Sequence, residues 1–365
     1  MVPGERGRLV YLAAPRQVEL MDFEVPRPGP GALVAIVSRA NVCGSDLHIW
    51  NGLHPTVKRG AMGHEMVGRV HALGEGVETD FAGQPLAPGD RISVTYFQNC
   101  RKCRACRRGQ FNLCENAYRH WVQPPERPPH FNATFGTHYY VHPDQYVYRV
   151  PDNVPDAVAS FANCALSQVC YGADVAGVAA GETVVIQGAG GLGLSAIAVC
   201  KRRGARVIAI DGVPYRLEAA RAFGADEIVD LRAAETPAAR IKRVRALTDD
   251  WGADVGIEVS GVPAAFSEGV ELVRPGGRFV SIGNISPGQT TPFDPGLLTR
   301  RQVQILPVIR YQPWYLYQAL QLLSETIGRY PWDAMIDADF PLDAVEEALQ
   351  KSASREVRRA SLVMG

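Results

Sequence analysis

The sequence predicts an α/β chain in which a β-rich region precedes a doubly wound parallel sheet. Three observations carry this. Up to about residue 155 the chain is rich in Pro and Gly and in short β-branched runs divided by turns. From Gly181 strand-like and helix-like stretches alternate. A glycine turn, Gly188-x-Gly190-x-x-Gly193, lies where the first of these strands meets its helix.

Taken in order, Ala32 to Val37 and Met66 to Ala72 read as strands, with Pro88-Gly89-Asp90 as a turn between later ones. Thr183 to Gln187 is a short, uncharged run with an apolar centre, Val184-Val185-Ile186, ended by glycine, as in a buried parallel strand, and Leu192 to Arg203 reads as its helix. A strand at Arg206 to Ile210, a helix from Pro214 and a strand at Glu227 to Val229 follow. Ala238 to Leu247 reads as the next helix and Asp254 to Val259 as a strand; Pro263 to Val273 and Arg278 to Ile282 form the last such pair. Strands separated by helices of this length build right-handed crossovers. Leu297 to Ile309, with Gln302-Val303-Gln304-Ile305 alternating, reads as an edge strand, and an open edge invites a symmetric partner. Two amphipathic stretches, Trp314 to Leu323 and Leu342 to Leu349, return the tail to the first region. The predicted division is residues 1–155 completed by 306–365, with 156–305 as the sheet domain.

The 365 residues suit two domains, and 46% hydrophobic content can fill two cores. Thirty-eight basic and 38 acidic side chains cancel, which argues against nucleic acid or an anionic membrane as partner. The basic run Arg101 to Arg108 reads as solvated arms on a metal loop. Thr183 to Cys200 carries no charge, yet four glycines divide it into strand, turn and helix, so it is not a membrane span. The start of the chain is polar and unlike a secretory leader, so the eight cysteines point to metal ligation in a reducing compartment, the cytoplasm.

Four of those cysteines, Cys100, Cys103, Cys106 and Cys114, follow the pattern C-x2-C-x2-C-x7-C. Four thiolates so close suit a closed tetrahedral zinc of structural type. An iron–sulfur cluster is disfavoured, because a ferredoxin run closes with a three-residue gap and proline, whereas the last gap here is seven and Glu115 follows. Cys43, His64 and Glu65 offer the mixed ligands of a catalytic zinc with an open position. In the glycine turn, Gly188 makes the bend, Gly190 admits a pyrophosphate to the backbone and Gly193 lets helix pack on strand, while Gly191 and Leu192 open the helix whose amino terminus faces the phosphates. Asp211, 18 residues after Gly193, ends the next strand, where a carboxylate accepts from ribose hydroxyls and repels a 2′-phosphate. NAD is favoured over NADP, although Arg216 lies near.

In this order and spacing the metal sets and the glycine turn resemble the medium-chain zinc-dependent alcohol dehydrogenases over nearly the whole chain. The resemblance implies a GroES-like β domain carrying both zincs, a Rossmann cofactor domain, an active site in the cleft between them, and a homodimer or homotetramer. It implies Cys43 and His64 as catalytic zinc ligands with Glu65 adjoining the metal, and Ser45 and His48 as proton relay. The resemblance assigns the third ligand to Cys164, with Cys170 as the alternative, because Asn163-Cys164-Ala165-Leu166 reaches Cys170-Tyr171-Gly172 with one residue more than the common pattern. Cys200 reads as helix packing. Asp46 fits either the carboxylate that orients a metal-bound imidazole or a helix cap.

The implied reaction is hydride transfer between a small-molecule alcohol and NAD. A secondary alcohol is expected because Ser45 is small, with His54, Tyr96 and Trp50 near the substrate. A zinc-free quinone or enoyl reductase, or an inactive cofactor-binding protein, are the rival readings. The aromatic segment Tyr118 to Tyr140 would either cap the cleft or pack on the four-cysteine lobe.

Overall fold

A computed structural model describes residues 4–54 and 58–364. They fall into two compact units: Met1–Ser167 with Gln312–Ile327 and Trp332–Gly365, and Gln168–Tyr311 with Gly328–Pro331.

The first unit is built from strands β1 (Arg6–Ala14), β2 (Gln17–Glu24), β3 (Leu33–Asn41), β4 (Gly60–Ala61), β5 (Val67–Leu73), β6 (Arg91–Val94), β7 (His138–Val141) and β8 (Val147–Arg149). The two strands read in this region, β3 and β5, are both present, each running somewhat past the apolar run that marks it. β1 pairs antiparallel with β2 and β4. β3 is the hub of the larger sheet, pairing with β5 and β7. On β3, Leu33, Ala35 and Val37 share one face and enter the core, while Ile36 on the opposite face is exposed.

The second unit contains β9 (Thr183–Gln187), β10 (Arg206–Asp211), β11 (Glu227–Asp230), β12 (Ala253–Glu258), β13 (Val273–Ser281) and β14 (Gln304–Pro307), all parallel in the order β11-β10-β9-β12-β13-β14. The reversal of strand order on either side of β9 marks the doubly wound topology, and helices Gly191–Arg202, Pro214–Ala222, Pro237–Ala246 and Pro263–Leu272 make the crossovers. β13 starts at Val273, five residues before its apolar run, because Val273 pairs with Ala253 ahead of a register shift. Pro275-Gly276-Gly277 lies within this irregular strand. The stretch read as one edge strand from Leu297 is helix Pro295–Arg301 followed by β14; Asp294 caps the helix by accepting from the Gly296 and Leu297 amides. β14 is nonetheless the sheet edge.

The tail adds β15 (Ala338–Pro341) and β16 (Ala360–Val363), the latter antiparallel to β3. Helices Tyr315–Thr326 and Val345–Ser354 bury their apolar stripes in the first unit. No helix among the described residues is long and apolar enough to cross a membrane.

The Tyr118 to Tyr140 segment supplies part of the core of the first unit. Trp121, Phe131 and Phe135 are buried in the core of the first unit with Leu9, Met62 and Met66. Its backbone threads between β1 and the Met62–Gly63 loop, with the Val10 amide donating to Phe135 O and the Phe135 amide to Met62 O, each within 2.9 Å. Trp50 is likewise core, 1% exposed with the Arg16 guanidinium 4.7 Å over its ring.

Candidate active site, metal centres and dinucleotide turn

Cys43 caps the short helix Gly44–Trp50, and Asp46 in its first turn does two jobs that the sequence presents as alternatives. One oxygen, Oδ2, accepts from the Cys43 amide at 2.8 Å; the other, Oδ1, lies 3.0 Å from His64 Nδ1. The carboxylate thereby keeps a proton on Nδ1 and fixes the ring so that Nε2 is the nitrogen available to a metal. Burial pushes His64 down, but the charge and hydrogen bond of Asp46 outweigh it and hold the ring well above its usual range. Burial in turn pushes Asp46 up. His64 follows Gly63, whose φ of +93° and whose missing Cβ, which would lie 2.3 Å from the Phe135 ring, make glycine obligatory there.

Cys164 is delivered by a single π-helical turn, Ala162–Leu166, all five residues of it buried. A π turn takes up the additional residue that separates this segment from the common spacing. Asn163 anchors it by donating to His64 O and Val94 O, both at 2.9 Å. The ligand atoms of Cys43, His64, Glu65 and Cys164 lie within 4.8 Å of one another. A hydrogen bond from Cys164 is the largest cause that holds Cys43 well below the usual thiol range, and the same bond raises Cys164. Two sulfurs sharing a proton beside an imidazole nitrogen are the donor set that zinc takes by displacing protons. Cys170 lies outside this group, in helix Ser167–Val175, where burial pushes its thiol up to about 12. Cys200 is fully buried in helix Gly191–Arg202, as packing requires.

Ser45 Oγ stands 3.3 Å from His64 Nε2. His48 is on the same short helix, and its buried Nδ1 has no hydrogen-bond partner. Tyr96 sets its ring against that of His64, with centroids 5.2 Å apart, and Trp121 lies 5.8 Å away on the same imidazole. Burial brings His54 down to about 4, so it is neutral at physiological pH.

The second cage joins Cys100, Cys103, Cys106 and Cys114. Backbone amides point at its sulfurs: Cys103 N to Cys100 Sγ at 3.3 Å, Cys100 N to Cys114 Sγ at 3.4 Å and Cys106 N to Cys103 Sγ at 3.5 Å. Burial opposes ionisation of Cys100, but the Lys102 and Cys103 amides and the Asn116 side chain prevail and bring it down to about 6. Burial pushes Cys106 and Cys114 up, so full thiolate character there calls for a cation. The lobe is tied to the tail by Gln312, which accepts from the Phe111 amide and donates to Asn112 Oδ1, both at 3.1 Å. Arg101 is no free arm: its guanidinium sits 5.5 Å from the Phe81 ring and 5.7 Å from that of Tyr146.

In the second unit Gly188 has φ +103°, and a Cβ on Gly193 would lie 1.9 Å from Gly188 O, so turn and helix touch only because both are glycine. Nothing stands within 4 Å of where a Gly190 Cβ would be, which leaves the backbone open to a ligand. Gly191 and Leu192 begin the helix there. Asp211, at the end of β10, accepts from the Ala189 amide through Oδ2 (2.7 Å) and from the Val213 amide through Oδ1 (2.9 Å), with Arg216 Nη1 3.9 Å from Oδ2. Each carboxylate oxygen retains a lone pair for a ribose hydroxyl.

Residues 29–152 match the alcohol dehydrogenase GroES-like domain family and 191–325 the zinc-binding dehydrogenase family. The chain is 34% identical to the 5-exo-hydroxycamphor dehydrogenase of Pseudomonas putida over 94% of its own length and 95% of that protein's. It belongs to the medium-chain zinc-containing alcohol dehydrogenases. It is also 33% identical to the L-threonine 3-dehydrogenase of Pyrococcus horikoshii, with 91% of each chain covered. The crystal structure of an alcohol dehydrogenase from Thermotoga maritima superposes with a TM-score of 0.92 at 28% identity, covering 99% of this chain and 100% of that one. The protein is therefore a zinc-dependent NAD(P) dehydrogenase acting on an alcohol group, with one structural and one catalytic zinc-type centre.

Around the catalytic centre of this dehydrogenase two partners escape any reading of the sequence. Arg359, just before β16 and 294 positions from Glu65, pairs through Nη2 with Glu65 Oε1, while Asn41 Nδ2 donates to Oε2 at 3.2 Å. No local motif marks either residue. Burial pushes the Glu65 carboxyl up, to about 8, against the pull of the Arg359 guanidinium. Both side chains are deeply buried, at 6% and 0% exposure. Arg359→Met is thus expected to destabilise the fold by about 3–5 kcal/mol, because it strands a buried carboxylate. Denaturant titration measures this; a loss under about 1 kcal/mol, within the range of an exposed pair, would show that Glu65 does not need its partner.

Proposed function

We propose that this dehydrogenase oxidises a secondary alcohol of moderate size and some polarity, or reduces the matching ketone, with NAD as the favoured dinucleotide. The observation that carries the substrate class is Ser45, whose small side chain lies against the open side of His64 Nε2 and leaves room for a second carbon substituent. Tyr96 and the neutral His54 add polar contacts. The relatives named for 5-exo-hydroxycamphor and L-threonine are named for secondary alcohols.

Cys43, His64 and Cys164 would hold the catalytic zinc, with Glu65 adjoining it; Cys100, Cys103, Cys106 and Cys114 would hold the structural one. Gly188, Gly190, Gly191, Leu192 and Gly193 would cradle the dinucleotide, with Asp211 and Arg216 at the ribose. When bound, zinc supplies Lewis acidity to the substrate hydroxyl and the dinucleotide supplies a hydride acceptor. Ser45 would take the hydroxyl proton as it hands its own on, and His48, whose buried Nδ1 makes no hydrogen bond among the described residues, would carry that proton toward solvent. Asp46 keeps the His64 tautomer fixed throughout.

A kinetic panel of primary, secondary, polyol and aromatic alcohols, run with both dinucleotides, tests the reading. The highest kcat/KM is expected for a secondary alcohol with NAD, and Asp211→Gly is expected to narrow the preference for NAD. A preference for short primary alcohols sinks the substrate class, and a clear NADP preference shows that Arg216 outweighs the Asp211 carboxylate. Since β14 pairs on one side only among the described residues, the enzyme is read as a homodimer or homotetramer joined at that edge. Light scattering at micromolar concentration checks this, and a monomer refutes it.

A further inference from the structure

Apart from the two zinc centres, one more group of metal-ligating side chains converges among the described residues: Glu5, His71 and His138, with ligand atoms within 4.8 Å of one another. The sheet brings the two imidazoles together. Ile36 of β3 pairs with His138 of β7 on one side and with Arg69 of β5 on the other, so His71, two residues along β5, shares a face with His138. The ring centroids are 5.5 Å apart at 68°. Glu5 arrives just ahead of β1, its carbonyl held by the Val25 amide at 2.8 Å. β1 passes close over His138 because Gly7 has no side chain; a Cβ there would meet His138 Nδ1 at 2.6 Å.

Both imidazoles direct the same atom at the one carboxylate. His71 Nε2 is 3.0 Å from Glu5 Oε2, and His138 Nε2 is 3.5 Å from Oε1. On the far side of the His138 ring, Nδ1 is 2.9 Å from Thr137 Oγ1, which also accepts the Arg8 amide at 2.9 Å. Thr137 Oγ1 can accept from Nδ1–H as it does from the Arg8 amide, and in that tautomer Nε2, buried, turns a lone pair toward Glu5 Oε1 at 3.5 Å. Two acceptors facing each other across a short gap are complementary to a cation.

We infer that Glu5, His71 and His138 form a third metal site, which takes a divalent transition ion such as zinc or cobalt. Two imidazoles and one carboxylate select such ions over magnesium and calcium, which prefer all-oxygen shells. His71 and Glu5 are partly exposed, at 16% and 24%, so the ion can enter and water can complete its shell. An ion here staples the beginning of β1 to β5 and β7, strands of a different sheet. Binding to the folded state alone raises stability.

The test is a Co2+ titration of the zinc-loaded enzyme at neutral pH, read by metal analysis and absorption. One cobalt per chain is expected beyond the two zincs, with d–d bands but no sulfur-to-metal charge-transfer band, which separates this site from exchange at either cysteine centre. Melting temperature is expected to rise with occupancy. His71→Ala is expected to lose the extra ion and keep both zincs, and Glu5→Gln serves in its place if that variant does not fold. Thr137→Val is expected to weaken cobalt binding by roughly 10–100-fold, the usual consequence of losing the group that orients a ligand. The inference is overturned if no third ion binds, if it survives undiminished in His71→Ala or Glu5→Gln, or if its uptake brings the charge-transfer band.

Discussion

Replacing Cys43 by serine is expected to lower kcat/KM by roughly a thousandfold or more, about 4 kcal/mol of transition-state stabilisation, and to leave one zinc per chain in place of two. Two effects combine. The thiolate is one of the soft ligands of the proposed catalytic zinc, and serine at neutral pH supplies no anion of comparable affinity. Cys43 is also the partner of the Cys164 thiol, so its loss leaves Cys164 as a buried neutral thiol. The fold should survive, because the Cys43 amide keeps its bond to Asp46 and a serine hydroxyl is itself a good helix-capping acceptor. Metal analysis and steady-state kinetics on the same preparation decide the matter. Full activity with one zinc remaining would remove Cys43 from the reaction.

Cys103→Ser should act in the opposite sense, on stability first. The lobe from Cys100 to Cys114 has only two short 3₁₀ turns, Cys106–Arg108 and Phe111–Leu113, and its order rests on amides pointing at sulfurs. Opening the cage removes the binding free energy that organises it. A fall in melting temperature on the order of 10 °C is expected, given about 2–4 °C per kcal/mol for domains of this size. The protein that remains folded should keep its alcohol turnover and one zinc. Calorimetry with zinc analysis checks this, and an unchanged melting temperature in a one-zinc protein would show that the lobe holds without its metal.

The contrast between these variants reflects where each centre is encoded. The four-cysteine cage is local, with all its ligands inside fifteen residues, and the spacing alone announces it. The other centre draws on Cys43, His64, Glu65 and Cys164, which span more than a hundred positions. Its first three members are recognisable in sequence. Its fourth, Cys164, is favoured over Cys170 in sequence only by resemblance, and the structure gathers Cys164 with the other three through the π turn at Ala162–Leu166.

What the sequence determined by itself is whatever local backbone chemistry and periodicity control. Those features are the strand Thr183–Gln187, the alternating strands and helices that follow, the glycine turn and the thiolate spacing. Tertiary structure alone decided the rest. It set Arg359 against Glu65, gave Asp46 its double task, drew Trp50 and Trp121 into the core, began β13 at Val273 and gathered Glu5, His71 and His138. The physical reason is one of range. A turn or a strand is specified by a few neighbouring torsion angles and the side chains that favour them. A buried ion pair or a three-residue cluster depends on which distant strands pair and in what register, which no short window of sequence contains.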